Sequence, residues 1–276
     1  MSARIACCQI APDVGEPGRN EALALNAIDE AITGGAQVVV LPELATSGYV
    51  FRSAEEARAA AVPANGELLR RVGEEAGRGD ALVVCGFCEL ADDGRVFNSV
   101  ALLDGPEVLA TYRKLHLWGE ESRWFSAGEQ PAPVVQTRYG RIGLAICYDV
   151  EFPELTRGLA LQGAELIALP ANWPHDEPPD GRPVLHSLAA MTAYFNKVFV
   201  AVCDRYGIER GCEFEGGSVI AAPDGSLLAG PVHERGAEIL FADCDLGRAG
   251  DKRTGRHNDA FADRRPEHYL PALYSG

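Results

Sequence analysis

The chain of 276 residues lacks several features that mark common protein classes. No apolar run reaches the roughly 18 residues of a membrane-spanning helix, and no basic segment leads into an apolar stretch like that of a secretory signal. Basic residues are scarce: 25 Lys and Arg stand against 40 Asp and Glu, and the net charge is −15. Nucleic acids and anionic membranes select basic surfaces, so we expect neither as a partner.

The motifs of several enzyme mechanisms are also missing. The histidines lack the H-E-x-x-H spacing of zinc enzymes, and no G-x-S-x-G serine elbow or glycine-rich nucleotide motif occurs. Cys85 and Cys88 have C-x-x-C spacing, but they lie in a strand-like run on which residues three apart face opposite sides. We therefore expect no metal and no organic cofactor. The cysteines do not have the pattern of a disulfide framework, so we expect them to be reduced. Reduced cysteines predict a cytoplasmic protein.

Lysine is the rarest of the charged residues. Only three occur, and arginine supplies the remaining basic side chains. Lys114 lies in the segment TYRKLHL. A compact ammonium fits beside a thiol or an oxyanion where a planar guanidinium does not. The preference for arginine elsewhere makes Lys114 a candidate for a specific role, although three lysines need no explanation by themselves.

Two reactive side chains follow apolar runs that predict buried strands. Cys147 comes directly after the run that starts at Ile142, and Pro153 marks a helix start soon afterwards. Glu43 follows a β-branched run that Pro42 terminates. A thiol and a carboxylate held at strand ends can serve as nucleophile and base. The alternatives are an inert buried cysteine and a solvated loop glutamate.

Three segments together resemble the carbon–nitrogen hydrolase (nitrilase) superfamily in order and spacing. They are LPE around Glu43, YRKLHL around Lys114 and ICYDVEFPE around Cys147. The resemblance implies a catalytic triad in which Glu43 is the general base, Lys114 stabilises the oxyanion and Cys147 is the nucleophile. It also implies that no cofactor is needed.

The resemblance implies further site residues. The backbone N–H of Tyr148 would be a second oxyanion donor, and a second glutamate would orient the lysine or the substrate. Glu121 fits the family spacing to a downstream aromatic residue and glycine, whereas Glu120 fits only the aromatic residue. For His116 we expect a structural hydrogen bond rather than proton transfer. Packing is the alternative for the three residues of the implied substrate pocket, which are Tyr49, Asn172 and Trp173.

Strand and helix patterns alternate along the chain, but consecutive strands also occur. This mixture predicts two sheets in the core with helices outside, which suits the α/β, four-layer α-β-β-α sandwich that the resemblance implies. We expect a strand over Arg141–Cys147, a surface loop over His175–Arg182 and a helix over Pro183–Phe195. The chain is expected to form a single domain, 1–276, and its polar tail, 247–276, to contribute to a homodimer or larger assembly.

The residues after the cysteine indicate the branch of the family. True nitrilases usually have Cys-Trp-Glu, whereas this chain has Cys147-Tyr-Asp, and the segment Val150–Glu154 resembles aliphatic amidases. We therefore expect hydrolysis of a small primary amide to a carboxylate and ammonia through a cysteine thioester. The first alternative is an N-carbamoyl amine or amino acid, whose carboxylate Arg182 or Arg205 could bind. A nitrile comes next. A catalytically silent binding protein is the last alternative, and the intact triad argues against it.

Overall fold

Fourteen strands are described in the computed structural model, which covers residues 2–174, 185–232 and 236–273. The strands are β1 Ser2–Gln9, β2 Val38–Val40, β3 Leu82–Leu90, β4 Val96–Asp104, β5 Glu107–Arg113, β6 Val134–Thr137, β7 Gly140–Leu144, β8 Leu166–Pro170, β9 Phe199–Cys203, β10 Tyr206–Glu209, β11 Cys212–Glu215, β12 Val219–Ala221, β13 Leu227–Ala229 and β14 Glu238–Asp245.

The helices lie between these strands in the chain. The α-helices are α1 Pro17–Thr33, α2 Ala54–Ala60, α3 Glu67–Gly77, α4 Pro153–Leu161, α5 Leu185–Asn196 and α6 Pro266–Leu273, and the 3-10 helices are Gly119–Arg123, Cys147–Glu151 and Leu246–Gly250. Within the described residues, no helix is both long and apolar enough to cross a membrane.

The strands form two six-stranded sheets and a separate hairpin. The first sheet has the order β14-β1-β2-β3-β4-β5, the second β13-β12-β9-β8-β7-β6, and β10 pairs only with β11. Apolar side chains from both sheets, such as Ile5 and Leu166, form one buried core between them. Helices α1 and α3 cover the outer face of the first sheet, and α4 and α5 that of the second. The predicted four-layer α-β-β-α sandwich is therefore confirmed.

Parallel pairing brings several loops to one edge of the molecule. Strands β1, β2 and β3 run parallel in the first sheet, as do β7, β8 and β9 in the second. In parallel sheets the carboxyl ends of the strands meet at the same edge, and binding crevices form there. The segments that follow β2, β7 and β8 carry Glu43, Cys147 and Asn172.

The strand predicted over Arg141–Cys147 is too long. It ends at Leu144, and Cys147 opens a 3-10 helix instead. Ala145 and Ile146 extend the apolar run because they are buried in the core, although they do not belong to the strand. Apolar periodicity reports burial, and here burial continues past the last paired residue.

Other elements carried no clear signal in the sequence. Short or polar strands (β6, β10, β11) and two helices (α2, α6) were not predicted, and α6 lies in the tail that showed no periodicity. The loop predicted over His175–Arg182 falls outside the described residues, as do the first two residues of the helix predicted over Pro183–Phe195.

Candidate active site

Glu43 lies in the turn that follows β2, and its side chain is fully buried. The next residue, Leu44, has φ +49°, a left-handed conformation that is uncommon without glycine. The turn rests directly on the neighbouring strand: a Cβ on Gly86 of β3 would lie 2.7 Å from the Glu43 Cα and would also collide with the Pro42 carbonyl. The lack of a side chain at Gly86 therefore fixes where the Glu43 backbone sits.

Lys114 follows β5, and its backbone N–H donates to the Asn98 carbonyl of β4 at 2.9 Å. Its Nζ donates to Glu43 Oε1 at 2.7 Å and to Glu121 Oε1 at 2.8 Å, with the ammonium closed to solvent. Burial lowers the pKa of Lys114, but the two carboxylates outweigh it and hold the pKa above its usual value. The side chain is therefore a buried cation.

The adjacent residues Glu120 and Glu121 have different surroundings in the structure. Glu121 is buried in the 3-10 helix; its Oε1 also accepts the Tyr49 hydroxyl proton at 2.7 Å, and its Oε2 accepts the Trp118 backbone N–H at 3.2 Å. The Glu120 side chain is 68% exposed and pairs with Arg123. Of the two, only Glu121 contacts the buried lysine.

The two oxygens of Glu43 have different surroundings. Oε1 accepts from Lys114 and, at 2.7 Å, from Asn98 Nδ2. Oε2 is buried and has no hydrogen-bond partner among the described residues. Burial raises the pKa of Glu43, Lys114 lowers it, Glu121 raises it, and the outcome is a pKa above the usual value. Asn98 was not singled out in the sequence, because an asparagine inside a strand has no motif around it.

Cys147 stands at the start of its 3-10 helix with φ +45° and is 5% exposed. Burial and the charge of Glu43 raise the pKa of the thiol well above its usual value, while Lys114 and the backbone N–H of Asn172 lower it. The Asn172 side chain donates from Nδ2 to the Glu43 carbonyl at 2.8 Å. Asn172 therefore contacts both the cysteine and the turn that carries the glutamate.

Asp149 ties the lysine segment to the cysteine turn, a role that the sequence did not suggest. Its Oδ2 accepts the Tyr112 hydroxyl at 2.8 Å and the Ile146 backbone N–H at 3.0 Å. Its Oδ1 lies 2.7 Å from Nδ1 of His116, whose ring stacks on Phe152 with centroids 3.5 Å apart. His116 thus makes a hydrogen bond within a structural network.

Aromatic residues flank the ends of β7 and β8. The backbone N–H of Tyr148 lies in the first turn of a 3-10 helix, where N–H groups have no acceptor within the helix. The Tyr148 ring packs edge-on against Trp118 at 4.8 Å. Trp173 is half-buried, and its backbone N–H donates at 2.9 Å to Oδ1 of Asp204, a carboxyl whose pKa burial raises to about 7.

The two arginines considered for a substrate carboxylate give no such contact. Arg205 is fully buried, and its Nη1 donates to Glu209 Oε2 at 2.7 Å. Its guanidinium therefore serves an internal ion pair and is closed to a ligand from solvent. Arg182 falls outside the described residues.

A family model described as carbon–nitrogen hydrolase matches residues 4–254. The chain belongs to the carbon–nitrogen hydrolase family. This carbon–nitrogen hydrolase is 37% identical to a protein of Pyrococcus abyssi named nitrilase, over 97% of the chain and 99% of the relative. It is 33% identical to an (R)-stereoselective amidase of Pseudomonas sp (95% and 91% covered) and 32% identical to an N-carbamoylputrescine amidase of Solanum lycopersicum (92% and 89% covered).

A solved structure agrees with the sequence relatives. The fold matches an amidase from Nesterenkonia sp. with a TM-score of 0.82 and 31% identity, over 98% of this chain and 96% of that one. In a structure of a mutant of the amidase from Nesterenkonia sp. AN1, the acetamide moiety of fluoroacetamide is bound covalently at the active-site cysteine. The predicted family is confirmed, and the protein is a hydrolase of carbon–nitrogen bonds.

Proposed function

We propose that this carbon–nitrogen hydrolase cleaves small primary amides to a carboxylate and ammonia through a thioester on Cys147. The observation that carries the proposal is the buried network of Glu43, Lys114 and Glu121 next to that thiol. It supplies a carboxylate, a cation and a nucleophile in a buried site, and these are the groups that amide hydrolysis requires. A silent binding protein would have no use for burying these charges, because their desolvation is unfavourable.

The first step is attack of the Cys147 sulfur on the amide carbonyl carbon. Because burial and Glu43 raise the pKa of the thiol, it is protonated at rest and needs a base at the moment of attack. Glu43 Oε1 is occupied by two donors, whereas Oε2 has no partner among the described residues. We assign the thiol proton to Glu43 Oε2.

The negative charge that develops on the carbonyl oxygen needs donors. An ammonium has three N–H groups, and Lys114 directs two of them to Glu43 and Glu121. The third is left for the oxyanion, and we assign the backbone N–H of Tyr148 as the second donor. Removing one such donor typically costs about 100- to 1000-fold in rate.

Breakdown of the tetrahedral intermediate breaks the C–N bond. Glu43 returns the thiol proton to the leaving nitrogen, ammonia departs and the acyl group stays on Cys147 as a thioester. Water then attacks the thioester while Glu43 accepts its proton, and the departing sulfur takes that proton back. Glu121 uses both oxygens as acceptors within the network, so we assign it to orienting Lys114.

Three residues are proposed to bind the substrate. Asn172 Oδ1 is buried without a partner among the described residues, so it is available to accept an amide N–H of the substrate. Tyr49 contacts Glu121 through its hydroxyl, and Trp173 follows directly after Asn172. Their position beside the network supports this assignment.

The names of related proteins support an amide substrate. The similar Pseudomonas enzyme is named an amidase, and the active-site cysteine of a Nesterenkonia amidase mutant carries the acetamide moiety of fluoroacetamide. An N-carbamoyl amine is the second candidate, supported by the name of the Solanum lycopersicum relative. An N-carbamoyl amino acid has less support, because Arg205 is bonded to Glu209. The name of the Pyrococcus abyssi relative supports a nitrile as the third candidate.

Ammonia release from acetamide, propionamide, N-carbamoylputrescine and the corresponding nitriles tests the proposal. We expect turnover of the simple amides, abolished in Cys147→Ala and lowered at least about 100-fold in Glu43→Gln. Cys244→Ala, which removes a buried thiol of β14 outside the network, is the control and should keep full activity. An active Cys147→Ala variant would remove the nucleophile assignment, and turnover of N-carbamoylputrescine alone would select the second candidate.

We also propose a homodimer or larger assembly in which the segment 247–276 takes part. The neighbouring helices α4 and α5 carry exposed apolar side chains at Leu161, Met191, Tyr194 and Phe195. Lys252 of that segment donates from Nζ to the Asn196 carbonyl at the end of α5, so the segment borders these side chains. Sedimentation should find an oligomer that Phe195→Glu dissociates, whereas Ile208→Glu, at an exposed site on β10, leaves it intact. A monomeric parent protein would contradict this.

A cytoplasmic location is proposed as well. No disulfide joins the cysteines of the described residues, and a reducing compartment keeps cysteines in this state. Thiol titration of the unfolded protein, purified without reductant, should find all eight reduced. Fewer thiols would contradict the location.

A further inference from the structure

A buried ion pair lies outside the catalytic network and has no part in the mechanism above. Arg205 follows β9 and Glu209 ends β10; their side chains are 0% and 1% exposed, and Arg205 Nη1 lies 2.7 Å from Glu209 Oε2. Arg205 Nε and Nη2 are buried without hydrogen-bond partners among the described residues. Burying such a pair is costly and often adds little stability, so its contacts indicate what it is for.

Glu209 uses its carboxylate to hold the loop that carries Tyr49. Its Oε1 accepts the Val14 backbone N–H at 2.7 Å, and its Oε2 accepts the backbone N–H groups of Tyr49 and Val50, each at 3.0 Å. Gly48 allows this close approach, because a Cβ there would collide with the same carboxylate. The Tyr49 backbone is therefore fixed by hydrogen bonds to a buried charge, which are stronger than those to a neutral acceptor.

Arg205 also acts on the Tyr49 ring. Its guanidinium stacks over Phe214 of β11, 4.2 Å from the ring centroid, and Phe214 meets the Tyr49 ring edge-on with centroids 5.9 Å apart. Such cation–π and edge-to-face contacts orient the rings that make them. The backbone and the ring of Tyr49 are thus both held from the β10–β11 hairpin.

Tyr49 contacts the catalytic network through its hydroxyl oxygen. The Tyr49 hydroxyl donates to Glu121 Oε1 at 2.7 Å, and the same oxygen accepts from Lys114 at 2.8 Å. A shift of the loop would move the hydroxyl and leave Glu121 with a different hydrogen-bond geometry. Small displacements of this kind are costly in catalysis, where about 1 Å of misplacement can lower the rate about 100-fold.

We propose that Arg205, Glu209 and Phe214 are positioning residues that set Tyr49, and through it Glu121 and Lys114, for the reaction. The inference rests on the proposed amide hydrolysis. It gives the β10–β11 hairpin, which belongs to neither main sheet, a task in the active site.

A double-mutant cycle between Glu209→Gln and Tyr49→Phe tests the proposal with the full-length enzyme and acetamide. Glutamine keeps the size of the side chain but loses its charge. We expect each single variant to lower kcat about 10- to 100-fold, and Glu209→Gln, which lies outside the proposed substrate pocket, to change KM less than about threefold. Because Glu209 acts through the Tyr49 hydroxyl, the double variant should be no slower than the slower single variant. Ile208→Gln, at a 68% exposed site on the same hairpin, is the control and should keep the parental kcat.

The outcomes separate this inference from the proposed function. The positioning role is overturned if Glu209→Gln keeps the parental kcat per folded molecule. It is also overturned if the loss of kcat in the double variant equals the product of the two single losses. Both results leave the proposed hydrolysis intact. Inactivity of the parent enzyme on every amide instead removes the proposed function. If Glu209→Gln does not fold, Phe214→Leu carries the same cycle, because it keeps the ion pair and removes the ring that contacts Tyr49.

Discussion

Replacing Asn98 by leucine should move the acidic limb of the pH profile of kcat/KM towards higher pH. Asn98 Nδ2 donates to Glu43 Oε1 at 2.7 Å. A hydrogen bond to the charged form of a carboxyl lowers its pKa, and Asn98 acts in that direction on Glu43. Leucine has a similar size but no donor, so the pKa of Glu43 rises. Because the proposed base works only when deprotonated, the variant loses activity at a higher pH than the parent as the pH falls.

The size of the shift follows from the hydrogen bond that is lost. A hydrogen bond to a charged group contributes about 1.5–3 kcal/mol, and one pKa unit corresponds to about 1.4 kcal/mol, which sets an upper bound of about 2 units. Lys114 still donates to Glu43 Oε1 and compensates in part, so we expect a shift of about 1 unit. Glu43, Lys114 and Glu121 interact strongly, so the limb reports the titration of the whole cluster.

The matched control is the next residue on the same strand. Ser99 donates its hydroxyl to the buried carboxylate of Glu89 at 2.6 Å, on the opposite face of β4. Ser99→Ala should lower the free energy of unfolding by about 1–3 kcal/mol, as Asn98→Leu does, and leave the acidic limb in place. An unmoved or acid-shifted limb in Asn98→Leu, or an equal shift in Ser99→Ala, refutes the reasoning.

Four further changes have defined outcomes. Glu121→Gln removes a negative charge that raises the pKa of Glu43, the proposed base, so the acidic limb in a pH–rate series should move to lower pH while kcat falls. Gly86→Ala places a Cβ against the turn that carries the base and should destabilise the protein by about 1–3 kcal/mol in denaturant unfolding; Gly158→Ala, with open space around its Cβ, should not. Asp149→Asn should lower the unfolding free energy by about 2 kcal/mol, because it weakens the hydrogen bonds that join the lysine and cysteine segments. Incubation with EDTA should leave ammonia release unchanged, since the proposed mechanism takes its positive charge from Lys114; lost activity that zinc restores would contradict this.

The sheets were predictable because their central strands are continuous apolar runs. Val38–Val40 and Leu166–Pro170 are buried along their whole length, as expected for parallel strands covered on both faces. The hairpin strands Tyr206–Glu209 and Cys212–Glu215 have no such run, because they pair with each other outside the main sheets. Their sequences therefore look like loop, although one of them ends in a buried carboxylate.

Some residues of the site could be predicted from the local sequence, and others could not. Glu43, Lys114 and Cys147 stand in short segments whose local sequence suggested them. Asn98 stands in no such segment, and Asp149 stands beside Cys147 without a local sign of its role, because their partners Glu43 and Tyr112 are 55 and 37 positions away in the chain. A buried polar residue is explained by the group it faces, and only the folded structure supplies that group.

The network holds two carboxylates against one ammonium, and this imbalance matters for the proposed chemistry. The charge of Glu121 adds to burial in raising the pKa of Glu43, and a base is most effective when its pKa approaches the working pH. The carboxylates also raise the pKa of Cys147, so the thiol stays neutral until it attacks. During attack, Glu43 loses its negative charge as the substrate oxygen gains one, and the total charge of the site stays constant. A buried site has little solvent to respond to new charge, so a reaction that only moves charge from Glu43 to a substrate oxygen beside Lys114 meets a lower barrier.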